Sequence, residues 1–213
     1  MKERLQKILD VMPVCDSFAD IGCDHGYITL AMLKKGKCKT AVVSDISKKC
    51  LSKAEQLLAD YMQKGMVKSF VSNGFKGLPK VDVALIAGMG GEEIISILSI
   101  EKNLPETLVL QPMKNADKLR RKLLILGYRL DVDFTFKAEG KFYDIMVAVR
   151  GVDSLTEDEI LFGRDNLKFR GEDFIEKIKI LISQNEKYLE RNLSNVSREQ
   201  LILETEKLKK CLK

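Results

Sequence analysis

The chain has 213 residues, 45% hydrophobic and 31% charged, with 36 Lys/Arg against 31 Asp/Glu and a formal net charge of +5. That length can bury a sizeable core; no apolar run is long enough to span a bilayer and residues 1–12 carry too many charges for a signal peptide, so a cytoplasmic protein with no membrane partner is expected. Five cysteines (Cys15, Cys23, Cys38, Cys50, Cys211) without Cys-x-x-Cys spacing, and a single histidine, imply free thiols and no metal site.

Leu5, Ile8, Leu9 and Met12 recur at helical spacing over Met1–Val14, and Pro13 ends the helix they predict. A first strand over Ser17–Gly22 leads through a glycine-punctuated loop into a helix that Gly36 stops after Lys35. A second strand, Thr40–Asp45, precedes a helix over Ser47–Met62, capped by Ser47 and apolar at Leu51, Ala54, Leu57, Leu58 and Tyr61. Val67–Ser72 is a third strand, turned by Asn73-Gly74, and Val81–Ala87 is the near-continuous apolar run of a central strand buried on both faces. After Gly88-Met89-Gly90-Gly91 come a helix with Ile94, Ile95, Ile97 and Leu98, a strand over Thr107–Gln111, and a helix over Ala116–Leu126. Tyr128–Phe136 and Phe142–Arg150, joined at Glu139-Gly140-Lys141, read as a hairpin. This alternation predicts an α/β fold: a doubly wound, mostly parallel sheet with one antiparallel strand.

The character changes at Gly151. A short helix over Leu155–Gly163 and long ones over Glu172–Asn192 and Arg198–Leu212 predict a C-terminal antiparallel helical hairpin, a short coiled coil with Phe174, Ile178, Leu181, Asn185 and Tyr188 facing Leu201, Thr205, Leu208 and Leu212. The chain thus divides into a sheet domain, residues 1–151, and a helical domain, 152–213. The helical part holds 12 Lys/Arg against 13 Asp/Glu, leaving 24 against 18 in the sheet part, so an anionic partner is expected to dock on the latter.

The first loop, Asp20-Ile21-Gly22-Cys23-Asp24-His25-Gly26, resembles a dinucleotide fingerprint but puts Asp24 where a pyrophosphate would need a glycine. S-adenosylmethionine carries no phosphate. Its ammonium suits Asp20, and its carboxylate suits backbone N–H groups of Gly22, Cys23 and Gly26 at a helix start. Asp45, with Ile46, ends strand two where a carboxylate can accept both ribose hydroxyls; Asn73, with Gly74, ends strand three, where an amide can meet the adenine edge. Ala87, Gly88 and Met89 would border the methyl group. Asp24, His25 and Glu92 are candidate catalytic acids, bases or hydrogen-bond acceptors. Tyr27, Phe142 and Tyr143 could stack a flipped base, and Lys114, Lys118, Arg121 and Lys122 form a basic stripe suited to phosphates; each of these also has an ordinary reading, as core aromatics and a solvated helix face.

Asp20-Ile-Gly-Cys-Asp-His-Gly-Tyr27, Ala87-Gly-Met-Gly-Gly91, Leu108-Val-Leu-Gln-Pro112 followed by Leu119-Arg120, and Tyr143-Asp-Ile145 resemble the bacterial TrmK family, tRNA methyltransferases that modify N1 of adenine 22. The resemblance runs nearly end to end and departs at Gly26 and Met113, where alanine and asparagine are frequent. It implies a class I methyltransferase fold, S-adenosylmethionine as donor and tRNA as substrate. A monomer or weak dimer is expected. From the residues alone, a methyltransferase of proteins or small molecules, or a non-catalytic binding protein on the same fold, stays open.

Overall fold

The computed structural model describes residues 2–101, 103–191 and 194–212. Helix and strand alternate through α1 (Glu3–Val11), β1 (Cys15–Ile21), α2 (Tyr27–Lys34), β2 (Cys38–Asp45), α3 (Lys48–Leu57), α4 (Ala59–Gln63), β3 (Val67–Val71), β4 (Val83–Met89), α5 (Gly91–Ile100), β5 (Thr107–Pro112) and α6 (Ala116–Ile125). The hairpin β6 (Tyr128–Ala138) and β7 (Lys141–Arg150) follows, then α7 (Glu157–Phe162), α8 (Arg164–Phe169), α9 (Glu172–Leu189) and α10 (Asn195–Lys210). The strands form one sheet in the order β3-β2-β1-β4-β5-β7-β6, parallel except for β7, which runs against both of its neighbours. This is the doubly wound sheet with one antiparallel strand that the alternation predicts.

Residues along the central strands alternate between two cores. Phe18, Val43, Leu85, Val109, Ile145 and Val147 pack with α1, α2 and α3 on one face. Ala19, Ile21, Val42, Ala84, Ile86, Leu108, Leu110 and Met146 pack with α5 and α6 on the other. Covering both faces explains why these strands read as continuous apolar runs. Helix α1 closes the first core with Ile8, Leu9 and Met12, and Lys37 Nζ donates to the Leu9 and Met12 carbonyls at its end, 3.0 and 2.7 Å away. Ser47 caps α3 as expected, its Oγ accepting from Cys50 N.

Several expectations shift. The helix expected over Ser47–Met62 breaks at Leu58, which leaves helical geometry (φ −103°, ψ 9°) and is fully buried. An unexpected helix, α8, starts directly after Gly163. Helix α9 ends at Leu189, and Asn192 lies outside the described residues, as does Met1. Helix α10 begins at Asn195 under a Ser194 cap, three residues before the expected start. In the hairpin Phe174, Ile178, Ile182, Leu208 and Cys211 form a small core of their own, while Tyr188 is exposed. All five cysteines are free. Among the described residues no helix is long and apolar enough to cross a membrane.

The helical segment seals the sheet. Strand β6 lies at the edge, where unpaired N–H groups would invite another strand. Side chains from beyond β7 occupy them in succession. Leu130 N donates to Asp153 Oδ2 (3.0 Å), Asp133 N to Asp165 Oδ2 (2.9 Å), Thr135 N to Asn166 Oδ1 (2.8 Å) and Lys137 N to Asp173 Oδ2 (2.9 Å). At the far end Glu139 N donates to Glu3 Oε2 of α1 (3.3 Å). Beneath this row Arg120 is completely buried, its Nε 2.9 Å from both oxygens of Asp133 and its Nη1 3.0 Å from the Ile160 carbonyl. Replacing Asp133 with alanine leaves that guanidinium with only the longer carboxylate contact, to Asp144 at 3.7 Å, and urea unfolding should show a loss of about 3–5 kcal/mol. Asp131→Ala, on the exposed side of β6 and paired only with Arg129, should cost less than about 1 kcal/mol.

Candidate active site

The parallel strands β1, β2, β3 and β4 end on one side of the sheet, where open α/β sheets bind ligands. Asp20 sits one residue before the end of β1 and is buried, its Oδ2 accepting from Thr29 Oγ1 of α2 at 2.8 Å. Burial raises its pKa from the ordinary 3.8 to about 6, against the hydrogen bonds from Thr29 and with a smaller push from the Asp45 carboxylate. A buried, half-reluctant anion of this kind is stabilised by an arriving cation.

Beyond Asp20 the backbone turns sharply. Gly22 (φ +70°), Asp24 (φ +43°) and Gly26 (φ +72°) all adopt the left-handed region. The N–H groups of Gly22 and Cys23 donate to the Ser44 carbonyl of β2, at 2.8 and 3.1 Å, which ties the loop to the neighbouring strand end. A Cβ on Gly22 would stand 2.0 Å from Met89 Cε, so the end of β4 lies directly across the loop after β1. A Cβ on Gly26 would meet Ala54 and Leu58 at 3.1 Å, which accounts for the glycine at this helix start. Cys23 is buried, and burial raises its thiol pKa.

Asp24 and His25 form an exposed pair at the cavity rim, with Asp24 Oδ2 2.7 Å from His25 Nδ1 and Asp24 Oδ1 3.2 Å from Lys53 Nζ of α3. Against the cost of partial burial, these two bonds hold the Asp24 carboxyl below its ordinary range. A proton on Nδ1 donated to Asp24 leaves Nε2 as an acceptor. The imidazole stacks on Tyr27, with ring centroids 5.3 Å apart and planes 6° from parallel. Tyr27 is half exposed.

These groups line a cavity of about 710 Å³, within the range of small-molecule sites. Asp20, Gly22, Cys23, Asp24, His25, Tyr27 and Ala87 all contribute to its wall. Asp45, Ile46, Asn73, Gly74, Gly88 and Met89 lie outside that lining, on the adjoining strand ends and loops. Asp45 Oδ1 accepts from Ser47 N at 2.7 Å, Ile46 and Asn73 are exposed, and Gly74 is buried against Ile97, whose Cγ2 a Cβ would meet at 2.7 Å.

Glu92, the basic stripe, Tyr143 and Phe142 lie outside this cavity's lining. Glu92, in the first turn of α5, pairs with Lys118 of α6 on the surface; that bond holds its carboxyl low. Lys118 is thereby engaged, and Arg121 is likewise held by Glu157 of α7 at 2.5 Å. Lys114, exposed beside Gly90, and the half-buried Lys122 are the members of the expected stripe that are not engaged by a glutamate. Tyr143 is buried, stacked on Phe136 at 5.6 Å with the Arg4 guanidinium 5.8 Å from its ring, so it is a core aromatic. Phe142 lies under Lys137.

The sequence did not suggest that α1 would reach the site. Lys2, Arg4 and Leu5 line the same cavity, opposite Leu30, Ala31 and Lys34 of α2. Arg4 Nη1 donates to the buried Gln111 side chain at 2.5 Å. Gln111 within a β-strand was the available signal, since a buried amide there needs a partner. Among the described residues no group of three or more His, Cys, Asp or Glu side chains could hold a metal.

S-adenosylmethionine fits what is present: a buried carboxylate for its ammonium and a glycine cradle without room for a Cβ. Asp20→Asn isolates the cost of that carboxylate. Because the folded-state pKa lies above the unfolded one, Asp20 contributes stability at low pH that is lost as pH rises from about 4 to 6. The variant should therefore become more stable than the parent over that interval, by up to about 3 kcal/mol above pH 6, measured by urea unfolding at pH 4, 5, 6 and 7.5.

The methyltransferase-domain family matches residues 1–146. A Mycoplasma pneumoniae protein named "Putative tRNA methyltransferase" is 30% identical over 83% of this chain and 86% of its own length. The tRNA (adenine(22)-N(1))-methyltransferase of Bacillus subtilis is 29% identical over 71% of this chain and 66% of its own. The crystal structure of Streptococcus pneumoniae Sp1610 in complex with S-adenosyl-L-methionine superposes with a TM-score of 0.90 at 25% identity, covering 100% of both chains.

Proposed function

The chain belongs to the TrmK family of methyltransferase-domain proteins, and we propose that it transfers the methyl group of S-adenosylmethionine to N1 of adenine 22 in tRNA. The observation that carries this reading is the strand-end junction itself: a buried Asp20 beside a left-handed, Cβ-free Gly22, opening on a cavity with an exposed His25–Tyr27 stack. A nucleoside with a cationic amino-acid tail suits the first two features, and a second nucleobase suits the third.

When bound, S-adenosylmethionine supplies an electrophilic methyl group on a sulfonium. Asp20 receives the ammonium; the N–H groups of Gly22 and Cys23 are taken by the Ser44 carbonyl and that of Gly26 by the Cys23 carbonyl, so, contrary to the expectation from sequence, the carboxylate falls to the loop N–H groups of Asp24 and His25 between them. The Asp45 oxygen not engaged by Ser47 takes the ribose hydroxyls. Ile46, Asn73 and Gly74 bracket the adenine, while Ala87, Gly88 and Met89 border the methyl. Adenine N1 is an unprotonated lone pair at neutral pH, so this chain has to orient it and exclude water more than to activate it. Asp24 fixes the His25 ring, which then bonds the incoming base or accepts a proton. Glu92 stays with Lys118, which leaves loop carbonyls near Gly88 to receive the amino hydrogens as positive charge builds on the base. The helical segment, 152–213, acts as a second arm for the folded tRNA, in a cytoplasmic monomer or weak dimer.

Incubation with donor and a tRNA transcript should produce a reverse-transcription stop at adenine 22, absent when that base is guanine. Donor-saturated protein that leaves no stop would sink the assignment. Asp45→Ala should weaken donor binding about 10- to 100-fold, the effect of losing hydrogen bonds to a charged acceptor, with an unchanged circular dichroism spectrum; calorimetry measures it.

A further inference from the structure

The cavity is sorted by charge. Its floor, at the strand ends, carries the buried Asp20; its outer wall carries three cations, Lys2 just before α1, Arg4 of α1 and Lys34 from the last turn of α2. Among the described residues no carboxylate lies within ion-pair distance of these three side chains, whereas Lys118 and Arg121 on α6 are each engaged by a glutamate. Asp24, the other carboxylate of the lining, is already paired with Lys53 and His25. A methyl donor with two positive centres is drawn to the floor, and a polyanion to the outer wall.

The wall is also fixed in place. Ile8 and Leu9 bury the inner face of α1, Glu3 accepts from Glu139 N at 3.3 Å, and Arg4 is pinned through Nη1 to Gln111. A guanidinium has five donors in a planar fork; with Nη1 on Gln111, the remaining edge is available to the cavity that Arg4 lines. The same lining holds the parallel Tyr27–His25 stack, which offers a half-exposed π-face.

Resting on the tRNA methyltransferase reading, we infer that the RNA strand enters between α1 and α2 rather than along α6. Lys2, Arg4 and Lys34 receive the phosphates that flank the target nucleotide, and Tyr27 backed by His25 carries its base. The basic helix face that the sequence suggests as the RNA track is then a structural seam, holding α5 and α7 to α6.

The test compares two double variants of the full chain, Lys2→Gln/Lys34→Gln and Lys118→Gln/Arg121→Gln, by tRNA binding over a salt series, with donor calorimetry on each. The first pair should lose at least roughly ten-fold in tRNA affinity and flatten the log–log salt slope by about 1.5, the release expected for two phosphate contacts, while its donor affinity stays at the parent value. Tyr27→Ala should raise KM for tRNA more than it lowers kcat. An equal or greater loss in the α6 pair, or full affinity in the α1/α2 pair while the parent methylates tRNA, overturns the route alone. A parent protein that takes up donor but neither binds nor methylates tRNA overturns the functional reading and the route together.

Discussion

A buried ion pair decides where everything beyond the sheet can sit. Arg120 and Asp133 are shut away from water, an arrangement that persists only when hydrogen bonds satisfy the remaining valences. Here most of them come from four elements: Arg120 from α6, Asp133 from β6, the Ile160 carbonyl from α7, and Arg164 N from α8, which donates to Asp133 Oδ2 at 3.1 Å, while Arg120 Nη2 makes only the ion-pair contact with Asp133 Oδ1 at 2.9 Å. Burial raises the pKa of Asp133 while Arg120 works against it, so the pair exists as a mutual compromise. The network continues through Asp144, which accepts from Thr135 at 2.7 Å and lies 3.3 Å from Lys177 of α9. The helical hairpin is therefore keyed into the sheet, and residue 151 marks a change of secondary structure more than a seam in the packing.

That keying reaches the cavity by a short route. The β6–β7 hairpin closes in a two-residue turn at Glu139–Gly140, with both residues at positive φ. Glu139 exchanges hydrogen bonds with the start of α1, accepting from Arg4 N and donating its own N–H to Glu3. Helix α1 in turn supplies one wall of the candidate active site. An edge strand stabilised from outside by α8 and α9 thus holds, at its tip, the helix that shapes the opening. Coupling of this sort needs no conformational switch, only stiffness.

Much of this architecture was legible in the residues because short-range rules produce it. Period-two and period-3.6 patterns locate all seven strands and most helices, Ser47 announces its cap, and the Asp20–Gly26 loop reveals itself by glycine spacing. What stayed hidden depends on partners distant in sequence. Nothing local marks Arg120 as buried until Asp133 is brought beside it, and Lys118 looks free until Glu92 faces it. Tyr143 on a strand reads equally as a platform or as core, and only Phe136 and Arg4 decide. Helix α8 is six residues long, too short for an amphipathic period to emerge. The role of α1 in the site left only an indirect trace, the amide of Gln111 within a strand, since nothing in a capping helix says what lies beneath its first turn.

The capped edge also has a history. Thirty-six residues separate Lys137 from Asp173, whose side chain completes the row of acceptors along β6. At bacterial or eukaryotic synthesis rates of about 5–20 residues per second, the ribosome needs about 2–7 seconds to make that stretch. For the last 23 residues of that stretch, after β7 ends at Arg150, the nascent chain carries a finished sheet pattern with an open border, and neighbouring chains on the same message are its nearest available strands. The carboxylates at 153, 165 and 173 arrive in the order in which the border needs closing, from Leu130 outward, so each increment of synthesis removes one more point of adhesion.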